Sequence, residues 1–171
     1  VSVGKGANSV AGNTVLGEGA LDATVTGGNN TAIGKEALTT LTSGTLNTAL
    51  GGSTLKVNTT GGSNVAVGAS ALIANTTASN NVAVGKFAMV ANTSGTQNVA
   101  VGANALDANT TANYNVAVGG SALGTNTTGS GNTALGISAL TSNTTASDNV
   151  AVGRSTLLSN TTGNSNVAVG P

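Results

Sequence analysis

Asn81-Val82-Ala83-Val84-Gly85 is the stretch whose reading decides the fold, because the chain repeats it almost to its end. The same five letters stand at Asn64–Gly68, Asn98–Gly102, Asn115–Gly119, Asn149–Gly153 and Asn166–Gly170. Near copies are Asn30-Thr31-Ala32-Ile33-Gly34, Asn47-Thr48-Ala49-Leu50-Gly51 and Asn132-Thr133-Ala134-Leu135-Gly136. The closing glycines run from Gly17 through Gly34, Gly51 and onward to Gly170, always 17 residues apart. A short period without a single insertion is the mark of a solenoid, in which each repeat buries its apolar face against its neighbours. The expected fold is an all-β repeat protein, a parallel β-solenoid or β-roll of 17-residue coils. Residues 1–17 form an irregular first coil, with Val1-Ser2-Val3-Gly4 as a degenerate copy of the motif. Residues 18–170 form nine regular repeats, expected to be a fragment of a longer array.

Composition narrows what such a rod can do. Aromatic residues are 1% of the 171 residues, so the large side chains that dominate ordinary cores are missing. Charged residues are 6%, five of each sign, so the net charge is zero and nothing attracts nucleic acid or an anionic membrane. No run approaches the ~18 apolar residues that a spanning helix needs, so no membrane insertion is expected. Cysteine and histidine are absent, which excludes disulfides and the metal sites and triads that use them. Bulk Gly, Ser, Thr and Asn is also the composition of disordered tracts, but disorder does not require periodic apolar positions.

Each regular coil has three parts. Val-Ala-Val before the glycine reads as a strand, and three apolar letters in a row predict burial on both faces. Val84, Val101 and Val118 are therefore core candidates, together with Leu72, Leu106, Leu123 and Leu140. Gly-x-x-Ala-Leu follows. It reads as a short helical turn, which would put Ala and Leu on one face, or as a second short strand. The third part is Asn-Thr-Thr and its variants, followed by Gly or Ala, residues that suit tight or left-handed turns. The Asn that opens each strand, from Asn13 to Asn166, recurs in all ten coils, whereas a plain turn would accept Ser or Asp. Stacking would turn these amides into a hydrogen-bonded ladder.

The Asn-Val-Ala-Val-Gly unit resembles the Ser/Asn-Val-Ala-Ile-Gly repeat of YadA-like heads in trimeric autotransporter adhesins. It is also similar to the Asn-Thr-Ala-Val-Gly arrays of phage tail-fibre and bacterial surface proteins. The resemblance covers Asn13 to Gly170. It implies a homotrimer of left-handed parallel β-rolls outside the cell, on a cell surface or virion fibre. The adhesin repeat is usually shorter, near fourteen residues, and the Asn-Thr-Thr-Gly insertion lengthens the coil here.

No catalytic constellation is apparent. Glu18, Asp22, Glu36, Asp107 and Asp148 show no recurrent spacing, and a nucleophile without His or Cys would need a Lys or carboxylate partner. The expectation is therefore no enzyme, no cofactor and no metal. One chemical signal is periodic: Asn58, Asn75, Asn92, Asn109, Asn126, Asn143 and Asn160 each begin Asn-x-Thr/Ser, the acceptor pattern for N-glycosylation, and Asn29 begins another. Read as sites, the seven predict an exposed axial row of glycan acceptors; read as turns, they need no sugar. Two functions compete. One is a structural shaft or head segment of an extracellular trimeric fibre, giving length, stiffness and surface display, with glycans or a host-cell surface as further partners. The other is a carbohydrate- or ice-binding module that uses regular Thr and Asn rows.

Overall fold

A computed structural model describes residues 3–6 and 9–171; Val1 and Ser2 of the degenerate first motif lie outside them. The strands are β1 (Val3–Gly4), β2 (Thr14–Leu16), β3 (Thr31–Ile33), β4 (Thr48–Leu50), β5 (Val65–Val67), β6 (Val82–Val84), β7 (Val99–Val101), β8 (Val116–Val118), β9 (Thr133–Leu135), β10 (Val150–Val152) and β11 (Val167–Val169). They form one sheet in sequence order. From β2 to β11 every neighbour is parallel and in register, Ala83 beside Ala66 and Ala100. β1 alone runs antiparallel, with Val3 opposite Leu16. The solenoid of 17-residue coils is thus as the sequence predicts, and ten parallel strands at ~4.8 Å spacing make a rod of about 48 Å.

The glycines close the strands for a steric reason. Gly68, Gly85, Gly102 and Gly119 have φ of 121°, 140°, 135° and 136°, a region L-residues rarely adopt. A Cβ on Gly119 would lie 2.5 Å from the carbonyl carbon and oxygen of Gly136 in the next coil.

Among the described residues, the helical turn expected in Gly-x-x-Ala-Leu is absent, as is a second strand; the segment is a tight turn of alternating backbone hand. Ser53 and Leu55 have φ of 57° and 49°, and every later coil repeats the pair, as at Ser70 and Leu72. The reason lies between coils. Ser53 N donates to Lys35 O of the preceding coil at 2.8 Å, and Leu55 N donates to Ala71 O of the following coil at 3.1 Å. A helical turn would send all its N–H groups one way along its own axis. The alternating backbone sends them both ways along the rod, so stacking is bonded outside the strands too. Left-handed backbone costs a leucine about 1–2 kcal/mol. Burying that leucine fully returns roughly 1.5–3 kcal/mol, and Leu38, Leu55, Leu72, Leu106, Leu123 and Leu140 are fully buried.

Within its own coil the strand is buried on one side only, and the other side is half-covered in the single chain. The middle residue points inward: Ala32, Ala49, Ala66, Ala83, Ala100, Ala117, Ala134 and Ala151 have no exposed surface. Val84, Val101 and Val118 flank it on the outer side and are half-buried, not core. A three-residue strand alternates its side chains, so only one can enter the coil. The core is therefore an alanine column, the Ala-Leu pairs and, unusually, asparagine.

Candidate functional site

Asparagine supplies two columns of the interior. The strand-opening column forms the expected ladder. Asn30 N donates to Asn13 Oδ1 at 2.8 Å and Asn98 N donates to Asn81 Oδ1 at 3.0 Å. Its Nδ2 groups reach both ways, Asn64 Nδ2 donating forward to Ala78 O at 2.9 Å and back to Asn47 Oδ1 at 3.1 Å.

The Asn-Thr-Thr column is a second ladder and not the exposed row that glycan acceptors require. Asn58, Asn75, Asn92, Asn109, Asn126 and Asn143 are fully buried, and Asn160 is half-buried. Asn75 Nδ2 donates to Asn58 Oδ1 at 3.0 Å, and Asn109 Nδ2 donates to Asn92 Oδ1 at 2.8 Å. Asn160 Nδ2 donates to Asn143 Oδ1 and Gly163 O at 3.1 and 2.9 Å. The amide nitrogen that would carry the sugar is committed to hydrogen bonds inside the coil. The two ladders meet at a shared acceptor: Asn115 and Asn126 both donate Nδ2 to Gly129 O, each at 2.9 Å. No buried side-chain N or O among the described residues lacks a partner, the condition under which a polar core is tolerated. Asn29, in contrast, is exposed. A purified oligosaccharyltransferase acting on the folded chain should therefore modify Asn29 and leave the seven bare until the chain is unfolded. Peptide mass spectrometry reads this directly, and sugar on Asn109 of the folded chain would contradict the ladder.

A sequence clue to the inward column is present at Leu41. It occupies the coil position that Asn58 and Asn75 occupy later, and it is fully buried. A position that accepts leucine in one coil is a core position in all of them.

The threonine rows are partly committed as well. Thr59, Thr93 and Thr127 donate Oγ1 to the carbonyls of Thr76, Thr110 and Thr144 at 3.1, 3.1 and 3.0 Å. The next residues, Thr60, Thr77, Ser94, Thr111, Thr128 and Thr145, are exposed in one axial row. The asparagine rows invoked for ligand binding are interior, so of that pair only threonine faces solvent.

Charge is segregated by face. Of the ten charged residues, Glu18, Asp22, Lys35, Glu36, Lys56, Lys86, Asp107 and Arg154 follow one of the regular closing glycines within five positions, Lys5 follows Gly4 of the degenerate first motif, and only Asp148 stands elsewhere. Lys56 pairs with Glu36 at 2.9 Å and, through that hydrogen bond first, holds the Glu36 carboxyl below its ordinary range. Asp107 borders an open cleft of about 380 Å³ with Ala108, Ser121, Gly124, Thr125 and Thr141, and burial pushes its carboxyl up. The ten parallel strands carry no charge at all. Their outer side is a stripe of Val, Thr, Ile and Leu, half-buried for most of its length, with Leu50 and Leu135 exposed by 44% and 47%. Among the described residues no three His, Cys, Asp or Glu gather as metal ligands, and no helix is long and apolar enough to cross a membrane.

No family model matches the chain, and neither a curated protein nor a solved structure shows significant similarity to it.

Proposed function

We propose that the chain is a structural segment, shaft or head, of an extracellular homotrimeric fibre of the adhesin or tail-fibre kind. The observation that carries this reading is the uncharged outer side of the strands. It runs the length of the rod beside a face that holds most of the charge. An apolar stripe this long is more than single surface residues produce, and stripes of that kind mark association sites. Its occupant has to match a 17-residue axial repeat, and another copy of the same chain does so at every coil. Closed rotational symmetry then limits growth to a defined oligomer. The choice of three copies rests on the resemblance of Asn-Val-Ala-Val-Gly to trimeric adhesin heads. A face three residues wide and ten coils long covers roughly 10 Å by 48 Å. That is below the ~800 Å² per partner of a standard interface, so residues at its edges must also contribute. The interior supports the mechanical role: the strand-opening amide ladder joins each coil to the next, and from Asn58 to Asn160 a second ladder runs beside it.

Sedimentation tests the reading. The native chain should sediment at three times its 16.0 kDa mass. Val82→Glu, Val99→Glu and Val116→Glu together should give a monomer with an unchanged β-type circular dichroism spectrum, because these side chains point out of the coil. A native chain that is folded and monomeric at micromolar concentration would overturn the trimer.

A further inference from the structure

Tyr114 is the only tyrosine, and it stands 61% exposed on the turn that precedes β8. The other aromatic is occupied: Lys86 Nζ sits 4.8 Å from the centroid of Phe87. Tyr114 has no such cover, and its hydroxyl makes no hydrogen bond among the described residues. Tyr114 stands at a coil corner with a φ of 61°. The same corner in successive coils holds Gln97, Tyr114, Gly131 and Asp148, at about 4.8 Å per coil.

Gly131 changes this column. It has no side chain, and the Asp148 carboxylate leans into the vacant space: a Cβ on Gly131 would lie 2.5 Å from Asp148 Oδ1. The carboxylate thus reaches back toward Tyr114 with only the Gly131 backbone between them. Asp148 makes no ion pair among the described residues, and it is the one charge on this side of the regular coils. In the adjoining column, Ser130 Oγ accepts from Asn113 N and Ser147 Oγ accepts from Ser130 N, both at 3.1 Å. Neither hydroxyl proton is donated to a described residue, so both are free to donate outward.

An exposed aromatic ring, an unpaired carboxylate in the same column and two hydroxyl donors in the adjoining one suit one class of ligand. We propose that Tyr114, Gly131 and Asp148 form a binding subsite for a neutral pyranose. The ring's C–H face would pack on Tyr114, whose ring offers apolar area with a polar tip. A pair of vicinal hydroxyls would donate to Asp148, a charge-assisted bond stronger than one between neutral groups. The lone carboxylate disfavours uronic and sialic acids by like-charge repulsion. The subsite lies on one chain's own coils and does not depend on the fibre reading.

The single tyrosine, with no tryptophan present, makes its fluorescence a reporter of this site alone. Methyl α-mannoside, methyl β-galactoside and methyl β-N-acetylglucosaminide, titrated into the intact chain to tens of millimolar, are the probes, with glucuronic acid as the anionic control. At least one neutral glycoside should change the emission saturably and give a saturation-transfer NMR signal. Asp148→Asn should weaken it about tenfold, the share of one charge-assisted bond. Tyr114→Ala should abolish the NMR signal at an unchanged melting temperature, and Phe87→Ala should leave it intact. No saturable response to any of the three, binding that survives Tyr114→Ala, or tighter binding of glucuronic acid would each overturn the proposal.

Discussion

Gly119→Ala should unfold the rod at a much lower temperature than the native chain, and Gly120→Ala should not. The two residues are neighbours in sequence, and both substitutions add the same methyl group. At Gly119 that methyl would lie 2.5 Å from backbone atoms of Gly136, which cannot turn away as a side chain can. The φ of 136° adds strain for any L-residue. Overpacking of this kind costs about 1–3 kcal/mol, and forcing alanine into such backbone adds about 1–3 kcal/mol. A total of several kcal/mol is a large share of the marginal stability of any fold. A methyl on Gly120 would have Ala103 O, at 3.9 Å, as its nearest neighbour, and its φ is not in the left-handed range. The change there should stay within about 0.5 kcal/mol, the usual size of a surface substitution. Urea titrations of both variants give the comparison. Equal midpoints would mean that the coils are not in the close contact the glycine column requires.

The glycine column was legible because its physical cause acts locally and on every coil: only one residue type survives there. The strand and the first asparagine ladder were legible for the same reason, since Val-Ala-Val limits the backbone and Asn recurs where Ser or Asp would serve a turn. Three features were not legible, and each depends on the neighbouring coils. Leu55 and Leu72 prefer right-handed backbone in isolation, yet bonds from Leu55 N to Ala71 O and from Leu72 N to Ala88 O impose the left-handed form. Which of Val82, Ala83 and Val84 enters the coil is decided by the curvature of 17 residues around a thin core, and three apolar letters do not reveal it. Asn-Thr-Thr carries the chemistry of an exposed turn, while its asparagine points inward. Leu41 in the same column marks that position as interior. Tyr114 and Asp148 are hard to read for another reason: each is a single departure in one coil, and a periodic reading passes over departures.

Asn109→Asp should destabilise the chain in a pH-dependent way, and this separates a ladder of donors from mere shape. Asn109 Nδ2 donates to Asn92 Oδ1 at 2.8 Å and to Ala112 O at 3.2 Å, while Asn109 Oδ1 accepts from Asn126 Nδ2 at 3.3 Å. A carboxylate at this fully buried position keeps the acceptor and loses both donors. Two oxygens that received a hydrogen bond then face a negative charge. Breaking a buried charged arrangement costs about 3–5 kcal/mol, enough to loosen the stacking of the coils at neutral pH. The sign with pH follows from linkage. Burial and facing oxygens raise the folded carboxyl above its unfolded pKa of about 3.9. The folded state then binds the proton more tightly than the unfolded state. The penalty is complete above the raised folded pKa and shrinks as pH falls, reaching its minimum below the unfolded pKa. Asn109→Leu is the shape control, since Leu41 already fills this column elsewhere. It leaves Asn92 Oδ1 without a donor, costing about 1–3 kcal/mol for the unsatisfied group, while Asn126 Nδ2 keeps its bond to Gly129 O. That loss is independent of pH because nothing at the site titrates. Denaturant midpoints of the native chain and both variants, taken from acid to neutral pH, read the difference. An Asn109→Asp penalty that stays constant across that range would show that the amide donors do not hold the coils in register.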